Sequence, residues 1–296
     1  MELIIEELDS KLIGKKLGQN LYNSKGSLLL RKGAEIEMLH FAHLKSLGYQ
    51  SVYVLNGNSA DLDQDGEIIS GHLRAKGPHE LKGIFRKLLT DDRRQIATAK
   101  KEVFVLAENI LKSVNLKKHE GSKILDLKRQ GDYLCQHSIN VAAYSILIGT
   151  CLSYHQLKLS DLAVAALLHD FGMLFIDESL LNKSTALTES ESELIKEHTV
   201  KGFQHLGRNC SFKGLVTVVA LQHHERYDGL GYPKGLVGEE PHEFSRIVAL
   251  ANFFDAYTSD RPYRRMHTID AALQVIQDEV GTAFDPNLVQ HFLKYF

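Results

Sequence analysis

Apolar residues recur at helical spacing through most of the second half of the chain. Positions 139, 142, 143 and 146 follow the i, i+3, i+4, i+7 rule, and the same spacing returns at 159–166, 216–223 and 247–254. Thr188 and Glu191 form a capping box, which predicts a helix that begins there and runs to about Leu206. The glycine-rich stretch at 228–240 predicts a loop. The pattern therefore predicts a helical domain over residues 131–296.

The first part of the chain has a different pattern. Short apolar stretches between positions 12 and 30 flank a turn at 23–26, which predicts a pair of strands. A helix is predicted from about Ile36 to Leu47, followed by a strand at 51–55. We expect residues 1–60 to form a small α+β accessory module, and residues 61–130 to form a linker and connecting helices. The predicted fold class is mainly α, with this module at the N-terminus.

Composition narrows the class of protein. The chain has 296 residues, 44% of them apolar, so it can bury one full core and a second small one. Lys plus Arg number 35 against 37 Asp plus Glu, and this balance does not favour a nucleic-acid polymer as partner. The acidic start and the short apolar runs predict neither a signal peptide nor a membrane segment, and the three cysteines lack CxxC spacing. We expect a cytoplasmic protein without a membrane anchor.

Histidines and acidic residues cluster in the helical half. His169 and Asp170 follow an apolar helix, so an imidazole and a carboxylate emerge together at its end, and the two oxygens of Asp170 could bridge two cations. His198 lies four residues after Leu194, on the face predicted to point inward. A single histidine on an apolar face is more often structural than a ligand, so the prediction depends on the combination.

Further histidines complete the pattern. His223 continues an apolar stripe, His224 follows it at the mouth of the glycine-rich loop, and His137 lies on the first helix of the domain. A site rich in imidazole and carboxylate but without thiolate suits iron, manganese or zinc. The alternative is a helical bundle in which scattered histidines cap helices or lie in solvent and form no metal site.

A longer string decides between these interpretations. The segment HHERYDGLGYP at 223–233, together with the HD pair at 169–170, closely resembles the HD-GYP family of bacterial cyclic di-GMP phosphodiesterases. The resemblance continues through residues 187–188, 198, 234–236, 246, 255–256 and the RPYR string at 261–264, and it covers roughly residues 131–296. The first 60 residues resemble, more weakly, the small accessory domain that often precedes this unit.

The resemblance implies a site as well as a fold. It implies a helical domain that holds two divalent transition-metal ions, most often iron, with manganese or zinc as alternatives. The ligand positions fall on His137, His169, Asp170, His198, His223, His224 and Asn252. Asp170 and Tyr232 would act in catalysis, and Tyr232, Arg261, Arg264, Lys183 and Asp255 would contact the substrate. The ions would polarise the phosphodiester and lower the pKa of an attacking water. The implied partner is cyclic di-GMP or a related cyclic dinucleotide, and the N-terminal module could mediate dimerisation or protein contacts.

Two positions depart from the family pattern. Met173 stands where the HDxGK motif has lysine, and Asn252 stands where a liganding aspartate is expected, although Asp255 shares its helix face. Tyr133, one turn before His137, offers no carboxylate for a third metal. Three hypotheses remain open at this point. The chain is an active cyclic di-GMP phosphodiesterase, a degenerate member that binds metal or nucleotide and signals through contacts, or a hydrolase of another nucleotide.

Overall fold

The computed structural model describes residues 2–23, 27–47, 49, 51–56, 69–114, 133–181, 183, 185–259 and 267–296. Most of them are helical, and the paired strands lie within the first 56 residues. This confirms the predicted fold class. The polar segment that follows the module lies outside the described residues.

The N-terminal module has two small antiparallel sheets. Strand β1 (Glu2–Glu7) pairs with β4 (Ser51–Asn56), in a register that runs from Glu2 opposite Asn56 to Glu7 opposite Ser51. The predicted hairpin is confirmed as β2 (Leu21–Tyr22) and β3 (Leu28–Leu30), and the predicted helix as α1 (Met38–Ser46). The module has its own core, with Leu12, Leu17, Leu21, Ile36, Leu44, Tyr49, Val52 and Val54.

Two long helices follow and join the core of the helical domain. They are α2 (Gly71–Leu88), capped by Ser70, and α3 (Arg93–Ser113), capped by Asp92. The buried positions 96, 99, 103, 106, 107 and 110 of α3 lie on one face at helical spacing. These residues belong to the same buried cluster as the helices that come later. A domain boundary near residue 131 stays a prediction, but α2 and α3 pack as part of the helical unit.

The centre of the domain is formed by two apolar helices, α4 (Tyr133–Cys151) and α5 (Gln156–Leu168), that pack against each other. After α5 the chain forms a 3-10 segment (Phe171–Phe175) and the short helix α6 (Glu178–Leu181). The ring of Phe85 on α2 meets the ring of Phe171 edge to face at 5.3 Å. Helix α2 therefore packs directly behind the end of α5.

The predicted helix that begins at the capping box of Thr188 and Glu191 is present but divided. Helix α7 (Glu189–Lys196) ends at Glu197, α8 (His198–Gln204) begins at once, and a π-helical turn (His205–Asn209) completes the run. The side chains of His198 and Thr199 bond the carbonyl oxygens of Ile195 and Lys196. Such side-chain bonds compete with the regular helix ladder, which explains the break.

The last four helices complete the helical bundle. They are α9 (Leu215–Gln222), α10 (Glu243–Thr258), α11 (Ile269–Asp278) and α12 (Pro286–Leu293). The predicted loop at 228–240 is confirmed, because those residues contain no helix. None of the helices in the described ranges combines the length and apolar composition needed to cross a membrane.

Candidate metal centre

Asp170 lies at the centre of the site, where α5 ends. Residues 162–168 of that helix are all fully buried, so its C-terminus opens inside the protein. His169 Nδ1 donates to the carbonyl oxygen of Ala166 at 2.7 Å, and the chain then turns into the 3-10 segment. The apolar helix thus delivers an imidazole and a carboxylate into the interior.

Three imidazole rings are oriented by the same kind of hydrogen bond. In each, Nδ1 bonds the backbone carbonyl oxygen of a residue three or four positions earlier, at 2.7, 2.8 and 3.0 Å for the pairs His169 with Ala166, His198 with Ile195 and His223 with Val219. A carbonyl oxygen only accepts, so Nδ1 must carry the proton in the neutral ring. Each Nε2 is left with a lone pair for another ligand.

The two carboxylate oxygens of Asp170 face different histidines. Oδ1 lies 3.3 Å from Nε2 of His198 and 3.3 Å from Nε2 of His223. Oδ2 lies 3.3 Å from Nε2 of His169 and 3.7 Å from Nε2 of His137. The carboxylate is therefore placed as a bridge between two sets of nitrogen donors.

These donors form two groups that share only Asp170. In the triple-histidine subsite, donor atoms of Asp170, His198, His223 and His224 lie within 4.8 Å of one another, and in the double-histidine subsite the same holds for His137, His169 and Asp170. The structure thus brings together six of the seven predicted ligands, and the seventh, Asn252, lies beside them. That they bind metal stays a prediction.

The donor set fits divalent cations. His169 Nε2 and Asp170 Oδ1 are buried and have no hydrogen-bond partner among the described residues. An unsatisfied buried polar group costs about 1–3 kcal/mol, so a cluster of lone pairs without donors needs an explanation. Cations between the imidazoles and the carboxylate would satisfy these atoms, and nitrogen and oxygen donors without thiolate suit iron, manganese or zinc.

The protonation states also suit cations. Burial alone would raise the pKa of Asp170, but attraction to His169 and the close approach of the His169, His198 and His223 rings hold it well below its usual value. Burial lowers the pKa of His223 to about 4. Burial, with repulsion from His223 and His198, also holds the pKa of His224 well below its ordinary value. At neutral pH the carboxylate is ionised and these two rings are neutral, as metal ligands must be.

His137 is oriented differently from His169, His198 and His223. Its Nδ1 lies 2.5 Å from Oδ2 of Asp255, and its Nε2 lies 2.9 Å from Oδ1 of Asn252. Asn140 donates to the second oxygen of Asp255 at 2.8 Å. Asp255 was predicted to contact substrate, but its buried carboxylate lies on the Nδ1 side of His137, away from Asp170. This placement suits a group that positions His137.

A close approach of backbones brings His198 to Asp170. A Cβ added to Gly172 would overlap the carbonyl oxygen of His198 and lie 2.7 Å from the amide nitrogen of Gly202. Two glycines therefore let α8 pack directly on the segment after Asp170. The predicted inward position of His198 is confirmed, because the residue is fully buried, but the reason taken from Leu194 was wrong, and the role of His198 as a ligand stays a prediction. Leu194 is half exposed, so it does not mark the buried face of the helix. The break before His198 gives α8 a buried face that does not continue that of α7.

Tyr232 covers the triple-histidine subsite. Its ring stacks on His224 with centroids 4.7 Å apart, and its amide donates to the carbonyl oxygen of His224 at 3.1 Å. Burial, with repulsion from the charges of Asp170 and Glu193, raises the pKa of the phenol. The hydroxyl is thus protonated at neutral pH, and it can donate a hydrogen bond but cannot act as a base.

The loop that carries Tyr232 is held by a buried acid that the sequence analysis did not single out. Glu225 is 4% exposed, and its carboxylate accepts hydrogen bonds from the amides of Lys234 at 2.8 Å and Leu236 at 3.0 Å. Gly231 also lies against the chain, because an added Cβ would come 2.5 Å from the carbonyl oxygen of His224. The signal was present in the sequence, since Glu225 directly follows the two histidines.

The described part of the chain contains one of the predicted substrate-binding cations and one further cation beside Tyr232. Lys183 is paired with Glu191 at 2.7 and 2.6 Å, and its role in substrate binding stays a prediction. Lys196, which the sequence analysis missed, places its Nζ 5.4 Å from the ring centroid of Tyr232. Arg261 and Arg264 lie outside the described residues.

Comparison with known proteins gives a family. The family model described as "HD domain" matches residues 105–288, which is more than half of the chain. The chain belongs to the HD domain family. This HD domain protein also shares sequence with proteins of known name, which confirms the resemblance to the HD-GYP type.

Three relatives illustrate the similarity. The "Cyclic di-GMP phosphodiesterase response regulator RpfG" of Xanthomonas campestris is 35% identical over 226 residues, which cover 73% of this chain and 59% of the relative. The "3'3'-cGAMP-specific phosphodiesterase 3" of Vibrio cholerae is 38% identical over 55% of this chain and 35% of its own length. A "Cyclic di-GMP phosphodiesterase" of Thermotoga maritima is 37% identical over 54% of this chain and 44% of its own. The HD domain protein thus spans between about a third and three fifths of these relatives.

A solved structure supports the fold over the whole length. The HDG"Y"P protein of Bdellovibrio bacteriovorus superposes with a TM-score of 0.57 and 18% identity, and the match covers 99% of both chains. The arrangement of a small module before a helical domain therefore occurs in another protein.

Proposed function

We propose that the chain is a metal-dependent phosphodiesterase that hydrolyses cyclic di-GMP, or a related cyclic dinucleotide, to a linear product. The observation that carries the proposal is the bridging position of Asp170, whose two oxygens each face a separate pair of imidazoles at 3.3–3.7 Å. The names of the relatives, which include enzymes for cyclic di-GMP and for 3'3'-cGAMP, support this class of substrate. Two divalent ions are proposed, with iron first and manganese or zinc as alternatives.

Different residues of the chain would bind the ions and bind the phosphates. When bound, the ions would polarise the phosphodiester and lower the pKa of an attacking water. Asp170 would hold the centre together, and the backbone-anchored histidines would fix its geometry. The protonated phenol of Tyr232 could donate to a phosphate oxygen over the triple-histidine subsite. Lys196, whose Nζ lies 5.4 Å from the Tyr232 ring and pairs with Glu193 at 2.6 Å, could turn from Glu193 to a bound phosphate. Arg261 and Arg264 are proposed to bind the phosphates, because their forked donors match phosphate oxygens.

A second candidate is favoured by the two departures from the family pattern. Loss of one electrostatic donor commonly costs about a hundredfold or more in rate, and Met173 replaces such a donor. Asn252 removes one negative charge from the ligand set. The chain would then be a weak or inactive member that binds metal or nucleotide as a signalling module. In either case the N-terminal module is a candidate for dimerisation or for contact with a protein partner.

The test is direct turnover. The purified chain, loaded anaerobically with Fe(II) or Mn(II), is incubated with cyclic di-GMP and separately with 3'3'-cGAMP, and linear products are separated by chromatography. We expect turnover that Asp170→Asn abolishes and that the exposed control Asp161→Asn leaves unchanged. We also expect Met173→Lys to raise the rate. Retained binding of dinucleotide without turnover, in the native chain and in Met173→Lys, would support the second candidate.

A further inference from the structure

We infer that the two subsites differ in affinity. The triple-histidine subsite holds its cation tightly and the double-histidine subsite holds its cation weakly, so the centre loads in two separate steps. The inference deepens the proposed function because it concerns the same centre. It depends on the placement of Asn252, His137 and Asp255 and not on turnover.

The two subsites differ first in the number and charge of their donors. The triple-histidine subsite offers three imidazoles and one oxygen of Asp170, which is the donor number of a complete tetrahedral site. The double-histidine subsite offers two imidazoles and the other oxygen of the same carboxylate. Its additional oxygen donor is the neutral amide of Asn252. A second cation therefore adds two positive charges, while the ligand set adds no negative charge beyond the shared one.

The two subsites also differ in the contacts that a cation must displace. In the triple-histidine subsite, Nε2 of His198 and Nε2 of His223 face each other at 3.3 Å, and both Nδ1 atoms carry the protons. Two lone pairs at this distance repel, and a cation between them relieves the repulsion. In the double-histidine subsite, Nε2 of His137 is joined to the side chain of Asn252 at 2.9 Å. That hydrogen bond must break, whichever atom of the amide faces the ring, before a cation can use the nitrogen.

A buried carboxylate, that of Asp255, keeps the weaker subsite able to bind a cation. Asp255 is 2% exposed, and its carboxylate bonds Nδ1 of His137 at 2.5 Å and Nδ2 of Asn140 at 2.8 Å. A carboxylate behind a liganding imidazole fixes the ring and raises its basicity, and loss of such a partner typically weakens metal binding about 10–100-fold. Asp255 is thus a positioning residue. It partly replaces, one ring away, the charge that Asn252 does not supply.

The test is a metal titration of the full chain. The protein is stripped with chelator and titrated with Mn(II), while free Mn(II) is counted by its electron paramagnetic resonance signal and heats are recorded by calorimetry. We expect one tight equivalent and a second that is at least about tenfold weaker. Asn252→Asp should tighten the second step by about tenfold or more, and Asp255→Asn should weaken it by about 10–100-fold, with the first step changed far less.

Controls separate charge from general effects. Asn287→Asp makes the same chemical change at an exposed position on α12 and should leave both steps unchanged. His224→Ala should remove the tight step while circular dichroism shows retained helix. Two equivalents of equal affinity in the native chain would overturn the inference, and so would an Asn252→Asp variant that tightens both steps equally. An inactive protein that loads in two steps refutes the proposed turnover alone, and an active protein with equal sites refutes this inference alone.

Discussion

The close contact between Gly172 and α8 means that one added methyl group would displace His198 from the site. Gly172→Ala places a methyl group where it overlaps the carbonyl oxygen of His198 and lies 2.7 Å from the amide nitrogen of Gly202. Favourable contacts between non-bonded heavy atoms lie at about 3.5–4.0 Å, so the two backbone segments must separate by about 2 Å at the carbonyl oxygen of His198. Neither obstructing atom belongs to a flexible side chain, so the strain cannot be relieved by a rotamer change.

The expected magnitudes follow from this geometry. Overpacking a tight interior typically costs about 1–3 kcal/mol, and we expect Gly172→Ala at the upper end of that range. Because His198 opens α8, the same displacement moves its Nε2 from its position 3.3 Å from Oδ1 of Asp170. We expect the affinity of the triple-histidine subsite for Mn(II) to fall by about 10–100-fold, as when a supporting partner of a metal ligand is lost.

The assay pairs this variant with a matched glycine. Gly83 lies inside α2, and a Cβ added there meets nothing within 4 Å. Gly83→Ala should therefore stabilise the protein by about 0.5–1 kcal/mol, because alanine loses less chain entropy in a helix. Urea unfolding and Mn(II) titration are measured on both variants. Native stability and native Mn(II) binding in Gly172→Ala would refute the account of how His198 is placed.

Three further outcomes are expected. Lys196→Met should raise KM for the dinucleotide more than it lowers kcat, while Lys213→Met on the exposed surface should change neither. If the Lys196 and Lys213 variants have the same kinetic constants, Lys196 does not contact the substrate. Glu225→Gln should speed hydrogen exchange of the loop amides and lower stability by about 1.5–3 kcal/mol, because a buried charged acceptor is lost. The Lys183 pair lowers the pKa of Glu191 from 4.5 to about 2. The carboxylate thus stabilises the fold above pH 4.5, and this contribution is lost as pH falls towards 2. Glu191→Gln should therefore lower Tm at pH 7 but not at pH 2.

Much of the helical domain could be predicted because apolar spacing and caps are local signals. The helices around positions 142 and 163, and the capping box at Thr188, are confirmed. Strand β1 was not predicted, because its pairing with β4 joins segments about 50 residues apart and leaves no local pattern. The break before His198 was missed for a related reason, since two side-chain bonds to backbone carbonyls override a continuous helical sequence.

The candidate site was predictable in its members more than in its arrangement. Periodicity assigns a face to His137 or His223 but cannot show that separate helix ends meet at Asp170. The division of the donors into two groups, one for each carboxylate oxygen, came only from the structure. The same is true of the contact of Asp255 with His137, and the substrate contact that the resemblance implies for Asp255 stays a prediction.

The proposed function requires that Asp170 bridge two cations held by separate sets of histidines. The most direct measurement is anomalous diffraction from crystals of the full chain soaked at high Mn(II) concentration. We expect two anomalous peaks, one on each side of Asp170. One lies next to Nε2 of His198 and His223, and the other lies next to Nε2 of His169. Absence of bound metal beside Asp170, or a single ion that all the histidines share, would contradict this expectation.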